Sequence, residues 1–472
     1  MVDLRAYAHA AMIENGFEPA FSPEALAEAR NARGSADGVR DLRALPWTSI
    51  DNLESRDLDQ VEASEDLGDG RIRILIGIAD VDALVPRGSA VDLHALANTT
   101  SVYTGVSVFN MLPEVLSTDK TSLNEGEDRL AVVIEYVVDR EGGLSGEDVY
   151  RALVHNHQKL VYEDVAAFLE GGSQQVDDAT ASQLRMQDTA ACRMRERRYE
   201  NGALDFETIE ARPVTKDGAI VDLVVRKKNR AAQLVEDFMI AANGVMARAL
   251  DKKKVSSIRR VVRSPDRWKR IMTLAAAKGA RLPEEPDNIA LSRFLNEQRA
   301  RDPEGFAELS LSVVKLMGPG EYALERAGAP HSGHFGLAVQ DYTHSTAPNR
   351  RFSDLITHRM LKAALINALP AYRDEELAEI ATRCTEKEND ARKVERRVRK
   401  AAAALLLSGR IGETFDAVVT GAAAKGTFVR LLRPSAEGRV VRGVEGLDVG
   451  DRVRVKLLST DIEKGFIDFA TA

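Results

Sequence analysis

The chain is nearly without cysteine. Cys192 and Cys384 are the only two in 472 residues. They lie far apart, with no cysteine or histidine at ligand spacing, which excludes a disulfide framework and a structural zinc site. Long hydrophobic runs are missing too: nothing approaches the roughly 18 apolar residues of a spanning helix. The first residues lack the basic, apolar, small-residue pattern of a secretory leader. Aromatics make up only 5% of the chain, and there is no excess of positive charge, since 65 Lys and Arg stand against 73 Asp and Glu. With a net charge of −8, a polyanionic partner needs a local basic channel rather than a basic body. No internal repeat is visible, and no low-complexity segment beyond Ala401 to Ala404. These absences predict a cytoplasmic protein that does not engage membranes; a monomer is expected. The 44% apolar and 29% charged residues are those of an ordinary globular chain, long enough for two or three domains.

What stands out against this background is Asp51-Asn-Leu-Glu-Ser-Arg-Asp57-Leu-Asp59-Gln60. Three aspartates fall within nine residues, after a short apolar approach from Trp47 to Ile50. Asp57 and Asp59 point to one side of extended backbone, and Asp51 can fold back to join them across the turn at 52–56. Converging carboxylates repel and take up protons unless a cation sits between them. An all-oxygen set of this kind suits Mg²⁺. The same residues also read as an acidic surface loop.

Around this stretch the pattern is mixed. Residues 2–33 read as two short helices, either a helix-turn-helix remnant or, as we favour, a cap on the main domain, followed by a Gly-Ser-Ala-Asp-Gly linker. Residues 71–81, 130–138 and 148–157 read as apolar strands. Helical spacing then dominates, over 161–170, 178–200, 229–250, 265–278, 287–316 with interruptions, and 352–408 in two pieces. From Gly409 the pattern becomes five short alternating strands punctuated by glycine, the arithmetic of a small OB-type barrel. The expected fold is mixed α/β: a helical region over 1–46, a large domain over 47–408, and a five-stranded barrel over 409–472. In the barrel, Phe415, Phe428, Lys425, Arg430 and Arg433 can form a stacking and phosphate-binding face, or both phenylalanines can be core.

Several blocks carry a resemblance. Ser101-Val-Tyr103, Met111-Leu-Pro113 and Leu123-Asn-Glu-Gly-Glu-Asp-Arg129 are followed by Gly202-Ala-Leu-Asp-Phe206 and Val235-Glu236-Asp-Phe-Met-Ile-Ala-Ala-Asn243. His334-Phe-Gly-Leu337 and Tyr342-Thr-His-Ser-Thr-Ala-Pro348-Asn-Arg350-Arg351-Phe-Ser-Asp354 come next. With the acidic stretch, and in this order, they resemble the catalytic domain of the RNase II/RNase R (RNB) exoribonucleases. The barrel resembles the S1-type domain those enzymes carry.

The resemblance implies processive Mg²⁺-dependent hydrolysis of single-stranded RNA from the 3′ end to nucleoside 5′-monophosphates, with two ions in the active complex. It implies metal binding by Asp51, Asp57 and Asp59, and a phosphate clamp at Arg350 with Glu395 nearby. Tyr103 would set the RNA end point, Phe206 would stack on the last base, and Glu236 would lie at the ribose. Arg351, Phe415 and Phe428 join the expected RNA-contacting set. There are two departures. The family usually has a fourth aspartate where this chain has Gln60, whose amide oxygen can still meet a metal but brings no charge. The family also usually begins with two cold-shock-type domains, and the 46 residues before the catalytic region hold none. A catalytically weakened RNA-binding protein on the same scaffold is the alternative reading.

Other residues have competing local explanations. Pro348 reads as first-turn proline after the cap candidates Ser345 and Thr346, which puts Arg350 and Arg351 at a helix N-terminus suited to an anion. Spacing alone offers instead an Arg350–Asp354 pair and an Asp354–His358 pair. Lys227, Lys228, Arg230, Arg392, Arg396, Arg397 and Arg399 read as walls of a basic RNA channel or as a solvated helix face. Arg193 to Arg198 and Lys252 to Lys254 read as solvated faces. His331, His334 and His344 are assigned to turns and core rather than to a metal.

Overall fold

The structure is a computed structural model and describes all residues except 1–2, 173–175, 208–210, 217–218, 226–227, 304 and 424–425. In chain order, α1 (Leu4–Glu14) and α2 (Pro23–Asn31) precede β1 (Arg40–Asp41), β2 (Thr48–Asp51), β3 (Gln60–Asp66), β4 (Ile72–Ala79) and α3 (Ala90–Asn98). The short pair β5 (Val102–Tyr103) and β6 (Val108–Phe109) leads to β7 (Asp128–Val138), β8 (Leu144–His155) and β9 (Gln158–Val161). Then come α4 (Tyr162–Leu169), α5 (Asp178–Glu200), the hairpin β10 (Ala211–Lys216) and β11 (Ala219–Val225), and α6 (Arg230–Lys252). Next are β12 (Ser257–Val261), α7 (Trp268–Ala277), α8 (Asn288–Arg301), α9 (Phe306–Met317), β13 (Glu321–Glu325), α10 (Phe352–Leu365) and α11 (Asp374–Leu407). The chain ends in β14 (Thr414–Ala423), β15 (Gly426–Leu431), β16 (Glu437–Arg442), β17 (Arg452–Asp461) and β18 (Phe466–Thr471).

Seven strands form one mixed sheet in the order β1-β8-β7-β4-β3-β2-β9. Its centre, β4 and β7, is the apolar run expected from the sequence; Ile74, Ile76, Ile78, Val132 and Ile134 are all fully buried. Strands with both faces covered read as continuous apolar runs for this reason. One face carries α5 and α6, which pack on β3, β7 and β8. On the other, Trp47 crosses the sheet where Gly77 allows it: a Cβ there would stand 2.9 Å from Val61 and 3.6 Å from the Trp47 ring.

The first two helices pack on the rest of the chain. Serine 22 caps α2 through its hydroxyl, and Asp3 caps α1. Ala8, Ala11, Met12 and Phe17 of this region pack with Val102, Ala391, Val394 and Val398. Helix α11 thus runs along α1 and continues to the barrel, where Ala403, Ala404 and Leu407 join the barrel core. The alanine run is a packing surface.

The five terminal strands close into a barrel in the order β14-β15-β16-β18-β17. Helix α10 starts at Phe352 with Arg351 as its cap position, four residues after Pro348. Pro348 therefore belongs to the preceding turn rather than the helix. Ala347 N–H binds Asp354 Oδ1 at 2.8 Å, so Asp354, not Ser345 or Thr346, ties that turn to the helix.

Candidate active site

The loop between β2 and β3 is shaped by its own side chains. Asp51 Oδ1 accepts from Asn52 N–H at 2.7 Å and from the Ser55 hydroxyl at 2.8 Å, the self-closing turn expected of an Asp-Asn pair. Lys159 Nζ holds the carbonyls of Leu53 and Ser55 at 2.9 and 2.6 Å. Leu58 then plunges into the core, 2% exposed, while its N–H binds Ser122 Oγ and its carbonyl accepts from Leu123 N–H, both at 2.9 Å. Burying one leucine contributes roughly 1.5–3 kcal/mol. The anchor leaves Asp57 and Asp59 flanking it.

These two aspartates meet different partners. Asp57 Oδ2 accepts the Tyr103 hydroxyl at 3.0 Å. Asp59 is almost fully buried; its Oδ1 accepts Asn349 N–H at 3.2 Å and its Oδ2 faces Arg350 Nε at 3.1 Å. Burial pushes the Asp59 carboxyl up to about 7, with Arg350 opposing and Asp57 adding to the rise. The guanidinium of Arg350 is 47% exposed, so it reaches both the buried acid and open space. Its backbone is pinned by Ser101 N–H, which binds the Arg350 carbonyl at 3.0 Å. Tyr103 N–H binds Glu395 Oε1 at 3.2 Å, which brings α11 to the same place. Direct contacts thus join Asp57, Tyr103 and Glu395 in one set and Asp59 and Arg350 in another, and the two sets meet at the 57–59 stretch of the loop, two residues apart.

The expected convergence of three carboxylates differs in one respect. Asp51 is held by its own turn, and Asp59 by Arg350. Among the described residues, the acidic or histidine group whose ligand atoms all lie within 4.8 Å of one another is Asp251, His331 and Asp341, none of them from this loop. There His331 pairs with Glu325 at 2.9 Å and Asp341 at 3.4 Å, and Arg259 pairs with Glu325 at 3.0 Å. His331 therefore sits in an ion-pair cluster, while His334 caps the short turn at Phe335–Leu337 and His344 is a half-buried partner of the Tyr322 hydroxyl.

Gln60 opens β3 and is 6% exposed. Two residues along the same face, Glu62 is fully buried, and neither carboxylate oxygen has a hydrogen-bond partner. Sequence reading passed over Glu62; counting by twos from Gln60 is the signal that finds it.

The sequence profile of the RNB domain matches residues 39–367, and that of the RNase II-type exonuclease C-terminal S1 domain matches residues 413–472. The chain belongs to the RNase II/RNase R (RNB) family. Ribonuclease R of Thermotoga maritima is 30% identical over 494 residues, covering 96% of this chain and 68% of that protein. Ribonuclease R of Escherichia coli is 29% identical over 474 residues, covering 92% of this chain and 57% of that one. The chain thus spans between about half and two thirds of the length of these relatives. Among solved structures, Mycoplasma genitalium RNase R in complex with ribose-methylated single-stranded RNA superposes with a TM-score of 0.90 at 23% identity, over 100% of this chain and 78% of that one. Yeast Ssd1, a pseudonuclease, superposes at 0.74 with 17% identity, over 96% and 57%. The RNB scaffold is thus shared by both, and the fold alone does not separate them.

The remaining expected RNB residues fall elsewhere. Phe206 is partly buried against Leu204, Trp268 and their neighbours on α7–α9. Glu236 pairs with Lys228. Arg351 is not an open cation: it grips the buried Asp354 through Nε at 2.9 Å and Nη2 at 2.6 Å, the pair that spacing had offered to Arg350. His358 turns to the Ser345 carbonyl at 2.7 Å rather than to Asp354.

The basic-channel reading is corrected at several positions. Arg230 pairs with Asp188, Arg392 with Glu388, and Arg397 with Glu14, so these cations are matched by carboxylates of the protein. Arg195 and Arg198 both pair with buried Asp237, so they are not solvated faces. Lys227 and Lys425 lie outside the described residues.

In the barrel, Phe415 is a correction. It points inward from β14 opposite Val455 and is 6% exposed. Arg430 pairs with Glu308 of α9 at 2.7 Å, which ties the barrel to the catalytic region instead of leaving a phosphate ligand. Phe428 is 43% exposed on β15 and keeps the geometry of a stacking platform, with Arg433 exposed beyond the strand end.

Proposed function

We propose that this chain is an Mg²⁺-dependent hydrolase that degrades single-stranded RNA processively from its 3′ end to nucleoside 5′-monophosphates, in RNA turnover. The observation that carries the reading is the Arg350–Asp59 pair at 3.1 Å, with Tyr103 on the neighbouring Asp57. An acid buried next to a half-exposed arginine suits a cation and a phosphate held side by side, as cleavage of a phosphodiester requires.

The residues fit a divalent cation. The donors offered are oxygens, burial raises the Asp59 carboxyl to about 7, and an unpartnered buried carboxyl stands two residues beyond Gln60 at Glu62. Mg²⁺, with two ions in the active complex, would supply charge neutralisation and an activated water. Asp51, Asp57 and Asp59 would hold it, with Gln60 offering an amide oxygen. Arg350 meets Asp59 through Nε, and its two terminal nitrogens suit two phosphoryl oxygens. Tyr103, fixed between Asp57 and Glu395, blocks the path beyond the last nucleotide. Phe206 as base platform and Glu236 as acceptor of a 2′-OH rest on the resemblance. Phe428 stacks incoming RNA without sequence preference.

Gln60, in place of an acid, favours a second reading: an RNA-binding protein with weakened catalysis. Incubating 5′-labelled single-stranded RNA with the protein and Mg²⁺ separates the two. A ladder collapsing to one short product supports the hydrolase, intact RNA held in a complex supports the second reading, and internal fragments oppose both.

A further inference from the structure

Gln60 is not the last polar residue on its strand face. Glu62 stands opposite Thr48 of β2 and Ile76 of β4, fully enclosed by the sheet and the helices upon it. Its two carboxylate oxygens have no partner, and the Thr48 hydroxyl facing it is buried without one as well. Carboxyls taken out of water are normally compensated by donors, counter-charges or metals. Charged residues at a sheet centre without such compensation are rare.

Glu62 also shares the electrostatic neighbourhood of the aspartate loop. The charge of Asp51 acts on it. The Tyr162 hydroxyl, at the start of α4, feels Asp51, Glu62 and Arg350 together, so one half-buried side chain lies within range of all three. Where the strand lacks an acid at position 60, it carries one at the next position of the same face.

We propose that Glu62 supplies the carboxylate that position 60 lacks, as an oxygen ligand for a divalent cation on the Asp51 side of the site. The proposal rests on the metal-dependent reading above. With it the site regains a fourth acid, Asp51, Asp57, Asp59 and Glu62, and Gln60 becomes a neutral neighbour. The unpartnered oxygens are then the faces that meet the ion.

The test is Mn²⁺ binding to the RNA-free full chain, with free Mn²⁺ read by electron paramagnetic resonance and the metal-free thermal midpoint measured beside it. Glu62→Gln is expected to weaken one Mn²⁺ by about tenfold or more, the range seen when ligand shells are disturbed, with its metal-free midpoint unchanged or higher. The exchange Gln60→Asp with Glu62→Gln is expected to recover most of the affinity. Glu62→Met, which fills the same space, provides a folded control if the glutamine variant is unstable, and should lose the affinity as well. Wild-type affinity in Glu62→Gln or Glu62→Met overturns the proposal. So does a loss of affinity that tracks a lowered midpoint and is not recovered by the exchange. If the wild-type chain binds no Mn²⁺, the metal-dependent reading itself fails; if it binds and Glu62→Gln binds equally, only this inference does.

Discussion

Arg350 Nε stands 3.1 Å from Asp59 Oδ2 although the two residues are 291 positions apart in sequence. The pair joins the tight loop after β2 to the turn before α10, and it sets one cation beside one buried acid. Arg350→Lys keeps the charge but loses the planar fork that can hold Asp59 and two phosphoryl oxygens together. We expect kcat on single-stranded RNA to fall about 10²–10³-fold, the cost of removing one preorganised stabilising donor, with KM changing far less. Single-turnover kinetics on a labelled RNA check this; a lysine variant within a few fold of wild type would remove Arg350 from the chemistry.

Asp59 predicts a pH dependence. Its carboxyl is raised by burial to about 7 from a usual value of 3.8, so the folded metal-free protein binds a proton there that the unfolded chain has released. Stability from this group is therefore fully present below about pH 4 and is lost as pH rises toward 7. Cation binding has the opposite sign, because the ligand must be ionised and binding expels the proton. Mn²⁺ affinity of the RNA-free protein should rise between about pH 6 and 8 and flatten above. A flat profile over that window would show that Asp59 is already ionised.

Tyr103 predicts a separation of two effects. Its hydroxyl binds Asp57 and its backbone N–H binds Glu395. Tyr103→Phe removes one hydrogen bond, worth about 0.5–1.5 kcal/mol, and should leave the product length unchanged. Tyr103→Ala opens the space and should lengthen the final product by several nucleotides at near-normal initial rates. Denaturing gels resolve both outcomes.

The two barrel phenylalanines predict opposite behaviour. Phe428→Ala should weaken single-stranded RNA binding by about 1–3 kcal/mol, the range for one stacked base, with thermal stability unchanged. Phe415→Ala should destabilise the barrel by about 3–5 kcal/mol, as for large core truncations. Binding and thermal melts on the two variants decide between face and core.

How much of this was legible depended on whether the partner was local. The central strand from Ile72 to Ala79 and the barrel strands announce themselves because covered strands are uniformly apolar and glycines punctuate the turns. The stretch Ser257-Ile-Arg-Arg-Val does not read as a buried strand, yet it is one. Arg259 is matched by Asp251 and Glu325 and Arg260 by Glu388, and no local spacing reveals those partners. The hairpin of β10 and β11 falls between the helical spans 178–200 and 229–250, in a stretch whose pattern announces no element. At the site, spacing offered Asp354 to Arg350, four residues on; the turn at Ala347 instead hands Asp354 to Arg351 and frees Arg350 for Asp59. Glu62 was missed because a glutamate in a strand is ordinarily on the wet face, and only the packed helices show that this face is dry.

The most direct test of the account compares the wild-type chain with Asp59→Asn on 5′-labelled single-stranded RNA in Mg²⁺, measuring cleavage and binding in parallel. The account predicts that wild type shortens the RNA from its 3′ end to a single short product, while Asp59→Asn binds with similar affinity and does not cut. Full cleavage by Asp59→Asn, or cleavage at internal positions by the wild-type chain, would contradict it.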